Sequence, residues 1–334
     1  MSDCADTWDA AALADLAAYC ESQRTTGLLV VSDRGTVLEM NWLLAPGSDD
    51  FARRLVHGRS ADGALREDVA SQQKSVVSLL AAIAVDRGVL DVARPVSDYA
   101  AAGWSRATGA EERAIAVHHL LEMNCGLRDD LHFEAPPGQR HHYNTPAYAV
   151  MLSVLEGATG QSIDAITQDW LTDPASMTDT EWCVRGGDIA ADYGNRRGLV
   201  STPRDLARLG QIVLEGGVAA GGARIVSDAQ LRLMLRRTAL NPAYARLWWV
   251  NGGDRWFMPG RGEGPGSVVA TAPPDAVFAM GSENRLLMIV PSQRLIVVRL
   301  GRQALDADVR EQIAARLERA RRPARALLGH GVAA

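Results

Sequence analysis

Lysine is almost missing from this chain. Of its 35 lysine and arginine residues, 34 are arginine and one is lysine, Lys74. A guanidinium stays protonated in a protein and cannot act as a base, whereas a buried amine can lose its proton. Amine base chemistry is therefore confined to one position. The shortage itself fits genome composition, since alanine, arginine and glycine are all abundant. Cysteine is scarce too. Cys4, Cys20, Cys125 and Cys183 are widely spaced, with no Cys-x-x-Cys and no paired Cys/His ligand set. Reduced structural thiols are the expectation. His118-His119 and His141-His142 are adjacent pairs that point to different helix faces, so no metal site and no cofactor is expected. No apolar run approaches the ~18 residues that span a membrane. The N-terminus, Met-Ser-Asp-Cys-Ala-Asp, lacks the basic-then-apolar signal pattern, and a cytoplasmic location is expected. Net charge is -5 with no basic block, so neither nucleic acid nor anionic lipid is an expected partner.

What is present centres on Ser71-Gln72-Gln73-Lys74, which opens the apolar run from Val76 to Val85. Residues i and i+3 share a helix face, so the Ser71 hydroxyl and the Lys74 amine are expected side by side. A serine hydroxyl is a weak nucleophile until a neighbouring base takes its proton, and a neutral lysine can do so. With 18 serines in 334 positions, a lone lysine falls three residues after a serine by chance roughly one time in twenty. The helix is apolar on most sides, and burial would lower the lysine pKa as a lysine base requires.

The chain reads as strands at both ends and helices between. An amphipathic helix over 8–22 precedes a hairpin from Gly27–Val31 to Thr36–Met40, turning at Ser32-Asp33-Arg34-Gly35. Residues 45–68 are polar and read as a loop. Residues 90 to about 195 read as mostly helical, and Ser201-Thr202-Pro203 opens another helix. Strands follow at 246–250, 277–281, 285–290 and 294–300, with a Gly/Pro-rich loop over 252–274 and a final helix from about 307 to 320. The expected fold class is α/β (α+β). An antiparallel sheet domain of residues 1–88 and 200–334, covered by terminal helices, would carry an inserted helical domain of residues 89–199. Ser71 falls near the boundary, where clefts between lobes lie.

A set of motifs in this order resembles a known family. Besides Ser71-x-x-Lys74, it includes His118-His119-Leu120-Leu121-Glu122-Met123 with Cys125-Gly126-Leu127, and Pro136-Pro137-Gly138 leading to Tyr143-Asn144-Thr145. Glu156-Gly157-Ala158-Thr159-Gly160 and Ser201-Thr202-Pro203-Arg204-Asp205 complete it. Over residues 25–320 the chain is similar to serine β-lactamase-related proteins of penicillin-recognising fold, above all class C-like esterases and 6-aminohexanoate-dimer hydrolases.

The resemblance implies that Ser71 is the acylated nucleophile, Lys74 its base and Tyr143 the tyrosine of the second motif, Tyr-x-Asn, its phenol ionising more easily beside an ammonium. Thr145 stands where that motif has asparagine, with Asn144 one place earlier, and both are candidate substrate contacts. The third motif, usually Lys-Thr-Gly or His-Thr-Gly, aligns with Ala279-Met280-Gly281, so its cation is absent. That argues against penicillins and D-Ala-D-Ala ends. Met280 and Gly281 would line the substrate, and the backbone N–H groups of Ser71 and Ser282 would form an oxyanion hole. The expected activity is serine hydrolysis of a small ester or uncharged amide, with Trp248, Trp249 and Trp256 as core or substrate wall. Arg285 or Arg185 would be an anion contact or a surface residue. The alternatives are a D-amino-acid peptidase or weak β-lactamase, and a non-catalytic binding protein on the same fold.

Overall fold

The computed structural model describes residues 7–322. Helix α1, Ala10–Ser22, starts where the Asp9 carboxylate accepts the Ala12 N–H at 3.0 Å. The expected hairpin follows as β1, Thr25–Ser32, and β2, Gly35–Asn41. Gly35 takes φ +103° at the turn, a conformation that suits glycine. Three internal helices matter for the site: α2, Gln73–Asp86; α3, Thr145–Thr159; and α4, Pro203–Leu214. The last third supplies β3, Trp249–Val250; β4, Val277–Gly281; β5, Arg285–Val290; β6, Leu295–Gly301; and helix α5, Val309–Ala320.

The six strands form one antiparallel sheet in the order β2-β1-β6-β5-β4-β3. Early hairpin and late meander thus join. Every residue of β4, β5 and β6 is buried, so these strands are covered on both faces and read as apolar runs broken only by Arg285 and Arg299. Helix α4 packs closely on this sheet. A Cβ at Gly210 would lie 2.9 Å from Ile296 and 3.2 Å from Leu287. α1 and α5 pack on each other.

A second antiparallel sheet is the main departure from expectation. It runs Val56–Arg59, Leu65–Asp68, Arg197–Ser201, Glu181–Val184 in spatial order. The stretch 45–68 is therefore not a loop; it holds helix Asp49–Leu55 and two of these strands. Glu67 and Asp68, within the stretch expected to be a loop, are both buried against arginines far away in the sequence, Arg285 and Arg185. Two further readings change. The strand over 246–250 shrinks to β3, because Leu247 takes φ +60° and breaks the extended run. The Gly/Pro-rich loop holds a small hairpin, Arg255–Met258 with Gly262–Pro265.

Among the described residues no helix is long and apolar enough to cross a membrane. Cys20, Cys125 and Cys183 are free thiols, and Cys4 lies outside the described residues.

Candidate active site

The turn carrying Ser71 is held from both sheets. Residues 70–72 form one turn of 3-10 helix before α2 begins. Ala70 takes φ +51°, which costs a non-glycine residue roughly 1–2 kcal/mol. The Asp68 carboxylate stabilises that conformation by accepting the Ala70 N–H at 2.9 Å. The same carboxylate receives Arg185 through Nε at 2.7 Å and Nη2 at 2.8 Å. Gln72 donates Nε2 to the Ala279 carbonyl of β4 at 3.2 Å. Gln73 accepts the Leu199 N–H at 3.2 Å and Arg185 Nη2 at 3.0 Å, and donates to the Arg197 carbonyl at 3.1 Å.

Gly281 completes the clamp. A Cβ there would sit 2.7 Å from the Val69 carbonyl oxygen, so only glycine lets β4 pass this close to the Ser71 turn. The chain's own backbone sets that requirement.

Lys74 follows one helical turn later. Its Nζ donates to Ser71 Oγ at 3.0 Å, and the side chain is 2% exposed. Among the described residues it pairs with no carboxylate. Burial lowers its pKa from the ordinary lysine value to about 7, helped by the Arg185 charge. Nζ instead lies 4.9 Å from the Tyr143 ring centre and 4.7 Å from that of Tyr148. The amine is thus poised between its protonated and neutral forms near pH 7.

Tyr143 stands just before α3. Its ring stacks on Trp249 at 6.1 Å and meets Tyr244 edge-on at 6.1 Å. The sequence reading of an easily ionised phenol is corrected here. Burial pushes Tyr143 up to about 12, although its contact with Ser71 pulls the other way. Lys74 faces the ring of Tyr143, and cation–π contact does not stabilise a phenolate as an ammonium beside the oxygen would.

These groups open into a cavity of about 370 Å³ lined by Ser71, Tyr143, Trp249, Met280, Gly281 and Ser282. The structure therefore brings together Ser71, Lys74, Tyr143, Met280, Gly281 and Ser282. Asn144 is not with them. It is buried and caps α3, accepting the Ala147 N–H at 2.8 Å and donating to the Leu127 and Arg128 carbonyls at 3.0 and 2.9 Å. Thr145 opens α3 beside Gly194 and does not line the cavity. Of the three tryptophans only Trp249 reaches it; Trp248 is wholly buried and Trp256 packs over Gly264 of the hairpin.

Arg185 and Arg285 are neither surface residues nor anion contacts. Arg185 is closed on Asp68, and Arg285 pairs with Glu67 at 3.1 Å with both side chains 0% exposed. Sequence reasoning missed two other arginines that line the cavity, Arg261 from the small hairpin and Arg310 from α5. Neither sits in a motif; packing alone brings them to Ser71.

The mixed α/β fold, with its antiparallel sheet between helices, is that of the β-lactamase-like solved structures. The family model described as Beta-lactamase matches residues 10–321, and the chain belongs to that family. A 6-aminohexanoate-dimer hydrolase from Paenarthrobacter ureafaciens is 24% identical over 267 residues, which cover 66% of this chain and 66% of that relative. Among solved structures, a β-lactamase from Mycobacterium bovis matches with TM-score 0.64 at 16% identity, over 92% of this chain and 97% of its own. A Bacillus anthracis chain provisionally named 6-aminohexanoate-dimer hydrolase matches with TM-score 0.66 at 15% identity, over 91% and 82%. These structural likenesses concern the fold.

Proposed function

We propose that the protein is a serine hydrolase that cleaves a small ester or amide through an acyl-enzyme on Ser71. One observation carries the reading: the chain's single lysine lies 3.0 Å from Ser71 Oγ, buried, with no carboxylate partner among the described residues and with a pKa near 7. An ordinary structural lysine would be solvated or paired.

In this mechanism neutral Lys74 takes the Ser71 proton as Oγ attacks the carbonyl. The developing oxyanion is held by the backbone N–H groups of Ser71 and Ser282, at the two sides of the cavity wall where β4 meets the nucleophile turn. Tyr143, protonated at neutral pH, donates its phenol proton to the leaving group and is reprotonated from the Lys74 ammonium. Water then attacks the acyl-enzyme, and the same groups run in reverse to release the acid and free Ser71. No metal or cofactor takes part in these steps.

The test is turnover of 4-nitrophenyl butyrate by the wild type beside Ser71→Ala and Lys74→Met. Loss of at least 10³-fold in kcat/KM in both variants, with an unchanged fold by circular dichroism, is the expected result. Retention of wild-type turnover in Ser71→Ala would remove the proposal. A nitrocefin assay on the same samples separates ester hydrolysis from β-lactamase activity.

A further inference from the structure

Ser71 and Ser282 hang from different sheets. Ser71 follows the strand Leu65–Asp68 of the second sheet, and Ser282 follows β4 of the first. An oxyanion hole made of their N–H groups works only if the two turns keep their separation to within about 0.5 Å. A buried ion pair spans the gap. Glu67, four residues before Ser71, accepts Arg285 Nη2 at 3.1 Å, and neither side chain is exposed. Nη1 of the same guanidinium donates to the Ser282 carbonyl at 3.1 Å, while Nε has no partner among the described residues. The Thr26 hydroxyl donates to the other Glu67 oxygen and holds the carboxylate from β1.

The turn that carries Ser282 needs outside support. Glu283 and Asn284, between β4 and β5, take φ +63° and +55°, a left-handed pair of non-glycine residues. Arg299 of β6 donates Nη1 to their carbonyls at 2.9 and 3.1 Å. All three carbonyls of the turn, from Ser282 to Asn284, thus meet buried guanidinium groups. Arg285 alone of the two arginines reaches across to the strand before Ser71.

We propose that Glu67 and Arg285 are positioning residues for acyl transfer: the pair ties the Ser282 turn to the Ser71 turn and fixes the distance between the two oxyanion-hole donors. The inference rests on reading this cavity as the acyl-transfer site. A buried ion pair adds little stability over an apolar pair of the same volume. What the guanidinium fork adds is geometry, with one donor directed at each turn.

The experiment compares wild type with Arg285→Lys and with the double variant Glu67→Leu/Arg285→Met. The double variant removes both charges together, so no lone charge is left buried. The substrates are 4-nitrophenyl butyrate and 4-nitrophenyl thionobutyrate, in which sulfur replaces the carbonyl oxygen. An ordered oxyanion hole favours the oxygen ester, because sulfur is larger and accepts hydrogen bonds weakly. The double variant should lose about 10- to 100-fold in kcat on the oxygen ester, with KM within about 3-fold, and less than about 3-fold on the thiono ester. Arg285→Lys keeps a charge opposite Glu67 and should lie between. Wild-type kcat in the double variant, a loss confined to KM, or equal losses on the two esters overturns the inference; a merely structural pair gives the last result. Where the double variant does not fold, by circular dichroism, Arg285→Lys decides by the same ratio of esters. The rate at which a fluorophosphonate labels Ser71 needs no turnover. Its phosphoryl oxygen uses the same two donors, so labelling should slow by about 10-fold or more in the variant, and an equal rate contradicts the inference. Failure of wild type both to turn over the esters and to be labelled would instead defeat the acyl-transfer reading, and the positioning role with it.

Discussion

Arg185 and Asp68 form a buried bidentate pair three residues ahead of Ser71, with Nε and Nη2 at 2.7 and 2.8 Å from the two carboxylate oxygens. The pair links the second sheet to the turn that carries Ser71. Asp68 also holds the strained Ala70 conformation, and the Arg185 charge reaches Lys74.

Asp68→Ala strands Arg185 as an uncompensated buried charge and frees the Ala70 turn. A loss of about 3–5 kcal/mol is expected in urea unfolding. Asp68→Asn keeps an acceptor for the Ala70 N–H and should lose less. Equal stability of Asp68→Ala and wild type would show that the pair contributes nothing to the turn.

Lys74 makes the protein less stable than it would otherwise be at neutral pH. Its folded pKa of about 7 lies below the ordinary lysine value, so between about pH 7 and pH 10 the unfolded chain binds more protons than the folded one. Stability from this group is therefore complete above the unfolded pKa and is lost as pH falls towards 7. Lys74→Met should be more stable than wild type at pH 7, by an amount on the order of 3–5 kcal/mol at most. The advantage should shrink by pH 10. Parallel denaturation curves at the two pH values measure it, and a constant difference would contradict the assigned shift.

The same shift governs activity. Only neutral Lys74 can take the Ser71 proton, so kcat/KM should rise with pH through an apparent pKa near 7 and then level. Tyr143→Phe should cut kcat by about 10²- to 10⁴-fold while leaving thermal stability within a few degrees, since it removes one oxygen at the cavity wall. A profile flat from pH 5 to 9 would exclude Lys74 as the base.

Gly281→Ala places a Cβ 2.7 Å from the Val69 carbonyl oxygen. Backbone cannot swing aside as a side chain can, so β4 or the Ser71 turn must move. A stability loss of about 1–3 kcal/mol is expected. The loss in kcat/KM should exceed the loss on Gly210→Ala, whose Cβ would instead meet flexible side-chain ends of Ile296 and Leu287.

What the sequence disclosed follows the range of each interaction. Ser71 and Lys74 are three residues apart, and one helical turn settles their contact. β4, β5 and β6 announce themselves because strands buried on both faces are apolar at nearly every position, Arg285 and Arg299 apart. Glu67 and Asp68 were illegible as strand residues, since their partners Arg285 and Arg185 lie over a hundred positions away. Arg310 was illegible for the same reason: it lines the cavity from α5, more than two hundred positions after Ser71. Asn144 is a different kind of error. Asn-Thr-Pro before an apolar run is a helix-start signature, and the cap reading was available had the adjacent tyrosine motif not suggested a substrate contact.

The central claim is a covalent acyl group on Ser71. The most direct measurement is intact and peptide-level mass spectrometry after rapid quenching with 4-nitrophenyl butyrate, and after incubation with a fluorophosphonate, in wild type and Ser71→Ala. The account predicts one adduct per chain, on the peptide bearing Ser71, absent from the variant. Turnover without any adduct, or an adduct that persists in Ser71→Ala, would contradict it.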